Sequence, residues 1–363
     1  FNDINYLKGF DAVFIHRLPQ HNHKDAVAII NTIKRLGLKV IIDTDDHWNL
    51  DPSHGLYHIA KINKIPETIL DCIRMADLVT VPTEILAAEV RKFNKNVVVL
   101  PNAVDPNEDQ FKPKETESDM IRFGWLGGSS HIKDMEHLRD LGTKQNGLGK
   151  PTQIVLCGFD TRGNVQFVNP DTKQVETRPM RPQETTWFMY ECFLTNNYKN
   201  LETDREYLTY LMSFIDDPNF DTKSKPYRRI WTKAINQYAN GYNHFDVAMA
   251  PLNESTFNKY KSQLKVIEAG FHKKALIAQN YGPYQIDLIS AIDRGGAINP
   301  NGNCLLVEPS KNHKQWSKFA KKLVDNPEMI KDLGEKLYET VKDKYDLNNV
   351  TKNRYEIYKN LMK

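Results

Sequence analysis

From Asp11 onward, short runs of β-branched and aliphatic residues alternate with stretches whose apolar positions recur at helical spacing. That alternation predicts parallel strands joined by crossover helices, since each helix buries one face against a sheet. Ala12–His16 reads as a strand, Lys24–Leu36 as a helix stopped by Gly37, and Lys39–Asp43 as the next strand. A helix over Pro66–Met75, a strand over Asp77–Pro82, a helix from Thr83 to Phe93 capped by Thr83, and a strand over Val97–Leu100 continue the rhythm. The segment Asp105–Asp119 then breaks it. Eight charged residues and two prolines surround one Phe without apolar period, which predicts an exposed linker between domains.

A second unit opens with a strand at Ile121–Leu126, a turn at Gly127-Gly-Ser-Ser130 and a helix from about Lys133 to Leu141, followed by a strand at Gln153–Cys157. Asn164–Arg178 alternates about Asn169-Pro-Asp-Thr172 and predicts a β-hairpin, while Thr186–Leu194 and Arg205–Phe214 look helical. These interrupt the α/β rhythm, so 160–225 reads as an insertion. The rhythm resumes with a helix over Tyr227–Asn240, a strand over Asp246–Pro251, a helix over Ser262–Phe271, strands at Ala275–Ala278 and Cys304–Val307, and a charged helical tail from His313. Trp187, Tyr190 and Phe193, at helical spacing, read as a core stripe rather than a sugar platform.

Length agrees with two units: 363 residues at roughly 150 per domain. Hydrophobic residues at 40% and charged residues at 26% provide for real cores and exclude disorder. A net charge of +3 excludes a dedicated nucleic-acid coat or polybasic membrane binder. The four cysteines, Cys72, Cys157, Cys192 and Cys304, show no paired spacing and read as reduced thiols of a cytoplasmic protein. The longest apolar runs, such as Val97–Leu100 and Ala26–Ile30, fall far short of the roughly 18 to 20 residues that cross a bilayer. Only peripheral membrane contact stays open. The chain opens on Phe1 without a leader pattern, so some N-terminal sequence is expected to be absent.

Three stretches carry candidate chemistry. In Phe123-Gly-Trp-Leu-Gly-Gly-Ser-Ser-His-Ile-Lys-Asp134, Gly127 and Gly128 allow close approach of an anion, the following helix start offers N–H groups from Ser129 to His131, and Lys133 adds a full charge. The spelling is neither a Walker loop nor a dinucleotide fingerprint, and a tight steric turn explains the glycines equally well. In Lys261-Ser-Gln-Leu-Lys-Val-Ile-Glu-Ala-Gly270, Lys261, Ser262 and a helix start converge on one anion, and Lys265 and Glu268 share a face. Glu268 among Val266, Ile267 and Ala269 reads as a partly buried carboxylate able to hold a ribose diol; a surface ion pair is the alternative. Asp43-Thr-Asp-Asp-His-Trp48 ends a strand and faces a crevice. Its carboxylates either contact sugar hydroxyls or hold a divalent metal. His16 and His47 are candidates for the same cleft, and Gln20-His-Asn-His23 reads as a solvated loop, not a metal site.

Taken together, Val99-Leu-Pro-Asn-Ala-Val-Asp105, the Gly-Gly-Ser-Ser-His-Ile-Lys-Asp segment and Lys261–Gly270 resemble the retaining, nucleotide-sugar-dependent glycosyltransferases of the group 1 (family four) type. The resemblance runs from about Asp11 onward, outside 160–225. It implies the GT-B fold, an α/β architecture of two Rossmann-like domains facing a cleft. The acceptor-side domain would be 1–105, short and incomplete relative to the family. A linker at 106–119 leads to the nucleotide-sugar domain at 120–340, and 341–363 forms a last helix packing back on the first domain. It places the donor-phosphate lysine on Lys133 and the ribose carboxylate on Glu268, with Lys261 and Lys265 taking phosphate charge and Gly282 and Tyr284 lining the cleft. The family's earlier glutamate falls on Tyr260. Asp45, Asp46, His16 and His47 fall on the acceptor side, with Asp46 and His47 near the reacting centre. No cofactor is implied beyond the nucleotide-diphosphate sugar as substrate, and a hydroxyl compound is the partner. Two other readings stay open: a metal-dependent GT-A transferase anchored on Asp43 and Asp45, and a non-catalytic nucleotide-sugar or glycan binder.

Overall fold

Strands β1 (Ala12–His16), β2 (Lys39–Asp43), β3 (Leu78–Val81) and β4 (Val97–Val99) pair in sequence order, all parallel. The computed structural model describes residues 4–52, 54–114, 116–139, 141, 152–160, 162–181, 184–195, 227–309 and 313–363. Crossovers between these strands run through α1 (His23–Arg35), α2 (Tyr57–Ile62) with α3 (Ile65–Met75), and α4 (Glu84–Val90). The starts of α1 and α4 are legible in the sequence, whereas α2 begins without a side-chain cap and was not expected. The Asn22 side chain accepts from Asp25 N–H ahead of α1, and Thr83 accepts from Leu86 N–H ahead of α4. Helix α1 buries Ala26, Ile30 and Ile33, one stripe at helical spacing, and Gly37 ends it with φ of +80°.

The second sheet is built from β5 (Ile121–Leu126), β6 (Thr152–Phe159), β9 (Tyr227–Trp231), β10 (Val247–Ala250), β11 (Ala275–Gln279) and β12 (Leu305–Val307), in the order β12-β11-β10-β5-β6-β9. All its pairings are parallel. β10 and β11 are buried at every position, as a sheet covered by helices on both faces requires. β7 (Asn164–Val168) and β8 (Val175–Pro179) form the antiparallel hairpin expected from the alternation there. Helices α5 (Ile132–Met135), α6 (Thr186–Thr195), α7 (Thr256–Lys259), α8 (Leu264–Phe271), α9 (Lys314–Asp325), α10 (Glu328–Val341) and α11 (Leu347–Leu361) complete the chain. One core lies within the first sheet and its helices, and two lie on the two faces of the second sheet.

Several expectations are corrected. Tyr227–Asn240 is not a helix but β9 followed by a 3₁₀ turn over Tyr238–His244. Its strand character was hidden by Arg228 and Arg229, which are both buried. Arg229 reaches α6, where it donates to both carboxylate oxygens of Glu191 at 2.7 and 2.9 Å, and its guanidinium lies over Phe159. Helix α6 is therefore packed into the second core, with Trp187, Tyr190 and Phe193 all buried. The helix expected from Lys133 is only the single turn α5 and a 3₁₀ turn over Glu136–Leu138. Arg205–Phe214 lies outside the described residues.

The 105–119 segment is not wholly exposed. Gln110 and Phe111 are buried, Gln110 Oε1 accepts from Ala239 N–H, and Phe111 packs in the core of the second unit. The chain passes between the units a second time near Asp346, beside the first passage: Val104 N–H donates to Tyr345 O at 3.1 Å and Leu347 N–H to Val104 O at 2.9 Å. Helix α11 then runs along the first unit, and Met362 shares a groove with Leu7 and Leu38.

Gly334, in the middle of α10, allows this helix to lie directly on the turn before β11. A Cβ there would stand 2.2 Å from Lys273 O. Alanine is favoured over glycine within a helix by about 1 kcal/mol, yet here the backbone contact dominates. Gly334→Ala is expected to destabilise the protein by about 2 kcal/mol, read as a lower urea midpoint with an unchanged slope.

Candidate functional site

In the second sheet the chain leaves β5 toward β6 and β9 on one side and later returns to β10, β11 and β12 on the other. Connections after β5 and after β10 thus diverge, leaving a crevice at the carboxyl ends of the strands where parallel sheets bind ligands. A cavity of about 490 Å³ lies there, between the two units. Its floor is Leu126, Gly127 and Gly128 at the end of β5, with Gly158 at the end of β6. Gly158 has φ of +99°, and a Cβ on it would stand 2.6 Å from Gly127 O, so only glycine permits the two strand ends to close up. Tyr190 fastens the glycine turn from beneath. Its hydroxyl accepts from His131 N–H at 2.7 Å and donates to Gly128 O at 3.3 Å.

His131 Nδ1 donates to Asp134 at 2.6 Å. Burial holds the imidazole below its ordinary pKa, opposed in part by that bond. For Asp134, burial raises the pKa, but the hydrogen bonds from His131 and Asn253 N–H and the charge of Lys261 lower it, and the carboxyl lies below its ordinary value. The pair is therefore neutral imidazole and carboxylate, which leaves Nε2 as an acceptor. The other Asp134 oxygen receives Asn253 N–H at 2.6 Å and Asn258 Nδ2 at 3.0 Å, tying the glycine turn to the loop after β10.

Helix α8 supplies the charge. Lys265 Nζ donates to Leu126 O at 2.5 Å and lies 4.9 Å from the Trp125 ring centre. A Cβ on Gly127 would approach that Nζ to 2.9 Å, so the glycine also makes room for the lysine. Burial lowers the Lys265 pKa to about 8. One helical turn on, Glu268 is buried and accepts from Tyr238 Oη at 2.5 Å and Tyr242 Oη at 3.0 Å. Burial raises its pKa above the ordinary carboxylate value, against the lowering effect of the tyrosines and Lys265. Across the cavity the first unit contributes Asp45, Asp46 and Asn102. Asp46 is raised by burial and by Asp45, and lowered by Lys261 and Arg17.

Of the residues singled out in the sequence, Gly127, Gly128, His131, Lys261, Ser262, Lys265, Glu268, Tyr284, Asp45 and Asp46 line this one cavity. Lys133 does not. The side chain is half-exposed, 3.8 Å from Glu136, beside a separate recess of about 40 Å³ that it shares with Lys261. Ser129 is exposed outside the wall. Gly282 lies behind Pro283, its φ of +58° serving close approach to the Lys259 backbone. His16 bonds Asp45 at 3.1 Å instead of facing the cavity. His47 is buried between Trp48 and Tyr260. Asp43 accepts from Thr80 Oγ1, and no group of three or more His, Cys, Asp or Glu among the described residues is arranged to hold a metal.

Sequence reasoning missed Trp231, Lys233 and Tyr238, which line the wall beyond β9, because that stretch read as a helix. It also missed Asn102, although Pro101-Asn-Ala-Val carried the signal, and Asp134, whose Asn253 and Asn258 partners are distant in sequence. No helix among the described residues is long and apolar enough to cross a membrane.

No family model and no curated protein matches the chain. Solved structures do. Sucrose-phosphate synthase from Thermosynechococcus elongatus superposes with a TM-score of 0.61 at 14% identity, covering 98% of this chain and 75% of that one. Anabaena HepE, solved with UDP and glucose, gives 0.59 at 11% identity over 98% of this chain and 80% of that one. A UDP-forming α,α-trehalose-phosphate synthase from Burkholderia xenovorans gives 0.59 at 10% identity over 99% and 76%. The two-domain α/β architecture is therefore the GT-B fold of these structures.

The lowered pKa of Lys265 has a definite sign in stability. Between about 8, where the folded chain gives up this proton, and 10.5, where the unfolded chain does, the unfolded state binds more protons and stability rises with pH. Buried thiols and tyrosines act oppositely, so the informative quantity is a difference. Relative to Lys265→Met, the wild-type protein is expected to gain on the order of 1–3 kcal/mol from pH 8 to pH 10.5, measured by urea unfolding at a series of pH values.

Proposed function

We propose that this chain is a glycosyltransferase that moves a sugar from a nucleoside-diphosphate donor to a hydroxyl acceptor. The observation that carries the reading is the conjunction of a buried carboxylate, Glu268, with Lys261 and Lys265 in one cavity at the divergence of β5 and β10. The buried carboxylate suits a ribose diol, since each of its oxygens keeps acceptor capacity beyond its tyrosine bond. Lys261, Lys265 and the Gly127–Gly128 turn then receive the diphosphate. HepE, of the same fold, was solved with UDP-glucose, which supports a uridine donor as the first probe.

Departure of the nucleoside diphosphate develops negative charge on its oxygens while the sugar gains oxocarbenium character. Ammonium groups and backbone N–H already aimed at that position stabilise the charge without reorganisation. His131 Nε2, kept as an acceptor by Asp134, is placed to take a hydrogen bond from a sugar hydroxyl. Asp45, Asp46 and Asn102, on the wall of the first unit, receive the acceptor hydroxyl. Enclosure between two units excludes water that would otherwise hydrolyse the donor. Retention of configuration follows from the resemblance of Lys261-Ser-x-x-Lys-x-x-Glu268 to the family's donor segment, with front-face attack of the acceptor. The lysines take the part that a divalent cation plays in metal-dependent transferases, so turnover in EDTA is part of the proposal.

Calorimetry with UDP, GDP, ADP and TDP and turnover of the matching nucleotide-glucose test the reading together. UDP is expected to bind, with Glu268→Gln and Lys261→Ala each weakening it about tenfold or more. Lys133→Ala should stay within about twofold of wild type. Release of UDP from UDP-glucose should persist in EDTA. Binding of none of the four nucleotides, or equal affinity in Glu268→Gln, would overturn the proposal.

A further inference from the structure

Tyr260 stands where the resembling family carries a glutamate, yet its side chain turns away from the cavity. The hydroxyl donates to Glu89 Oε2 on α4, in the first unit, at 2.9 Å. The ring stacks on His47 with centroids 4.8 Å apart and planes 17° from parallel. His47 in turn stacks on Trp48 at 4.3 Å, and Trp48 meets Phe93 edge-on at 5.4 Å. A tyrosine of the second unit thus continues an aromatic pile rooted in the core of the first.

The residues that follow are fastened as well. Ser262 Oγ accepts from Asn102 Nδ2 at 3.0 Å, and Gln263 Nε2 donates to Tyr345 Oη at 2.7 Å. Asn102 and Tyr345 belong to the two passages of chain between the units. Residues 260, 262 and 263 are therefore all held by groups outside their own lobe's strands and helices. Lys261, between them in the short turn joining α7 to α8, lines both the cavity and the neighbouring recess, its Nζ 5.1 Å from the Phe257 ring centre.

We propose that Tyr260 is a positioning residue: it clasps the two units together and, through the turn it anchors, sets Lys261 against the phosphate end of the donor. The role rests on the reading of the cavity as a nucleoside-diphosphate site. Adjacent residues of a tight turn do not move independently, and a misplacement of about 1 Å is enough to lose much of a charge's effect. The clasp therefore acts on phosphate and not on the nucleoside.

The test is a mutant cycle on the full chain with two probes, UDP and uridine, binding followed by calorimetry and ligand-observed NMR. Tyr260→Ala is expected to weaken UDP about tenfold and leave uridine within twofold. Tyr260→Phe, which keeps the ring on His47, should lose only about threefold toward UDP. In a Lys261→Ala background, Tyr260→Ala should cost nothing further toward UDP, because the group it positions is gone. Equal weakening of UDP and uridine, additive losses in the double variant, or unchanged UDP affinity in Tyr260→Ala would overturn the proposal. Small-angle scattering judges the clasp separately: Tyr260→Ala should increase the radius of gyration of the free protein, and an unchanged value would overturn it. Should wild-type protein bind neither UDP nor uridine, the cavity reading and the phosphate role fall together, while scattering still decides whether Tyr260 joins the units.

Discussion

Lys265 and Glu268 share one short helix, the carboxylate buried and the ammonium half-buried, and two such charges are costly to remove from water unless the surroundings repay the lost hydration. The environment of the cavity is arranged around that requirement. Leu126 O accepts from the ammonium and the Trp125 face lies alongside it, while Tyr238 and Tyr242 each give a hydroxyl hydrogen to the carboxylate. Gly127 lacks the Cβ that would collide with Nζ. Even so, both groups are pushed toward their neutral forms. A site in this condition has polar groups whose need for partners is only partly met, and an anionic ligand with hydroxyls supplies both kinds.

The same economy recurs at His131 and Asp134. There the buried carboxylate is fully supplied, with an imidazole, an amide side chain and a backbone N–H, and it serves to hold the turn after β5 and the loop after β10 at a fixed separation. One carboxylate stiffens the walls and the other is left with capacity for a guest. Stability and binding are thus divided between Asp134 and Glu268, two acidic side chains on neighbouring elements.

How far the sequence reveals this depends on the range over which its information acts. Strands buried on both faces, such as β10 and β11, announce themselves as apolar runs, and Thr83 or Gly37 mark helix ends through bonds and dihedrals confined to a few neighbours. Lys265 and Glu268 were legible as a pair because their spacing lies within one helix, with Lys261 three residues ahead of its first residue. β9 was not, because buried Arg229 makes sense only beside Glu191, 38 residues earlier. Lys133, the second residue of a one-turn helix, lies beside the recess it shares with Lys261, a placement that its distance in sequence from Gly127 does not disclose. At Tyr260 the sequence disclosed only that a glutamate was absent; the ring's destination lies 171 residues away in the chain, at Glu89.

The two passages of chain between the lobes run side by side, joined at Val104 and Asp346. Neighbouring pivots behave as a single hinge pin: they leave rotation about one axis comparatively free and resist twist and lateral slip. Opening is then a search in essentially one coordinate, so little orientational entropy is lost each time the lobes come together. Redundancy has a mechanical side too. With the tail lying along the first lobe after the second passage, a break in the 105–119 segment would leave the lobes tethered, and the two halves would remain each other's nearest partners.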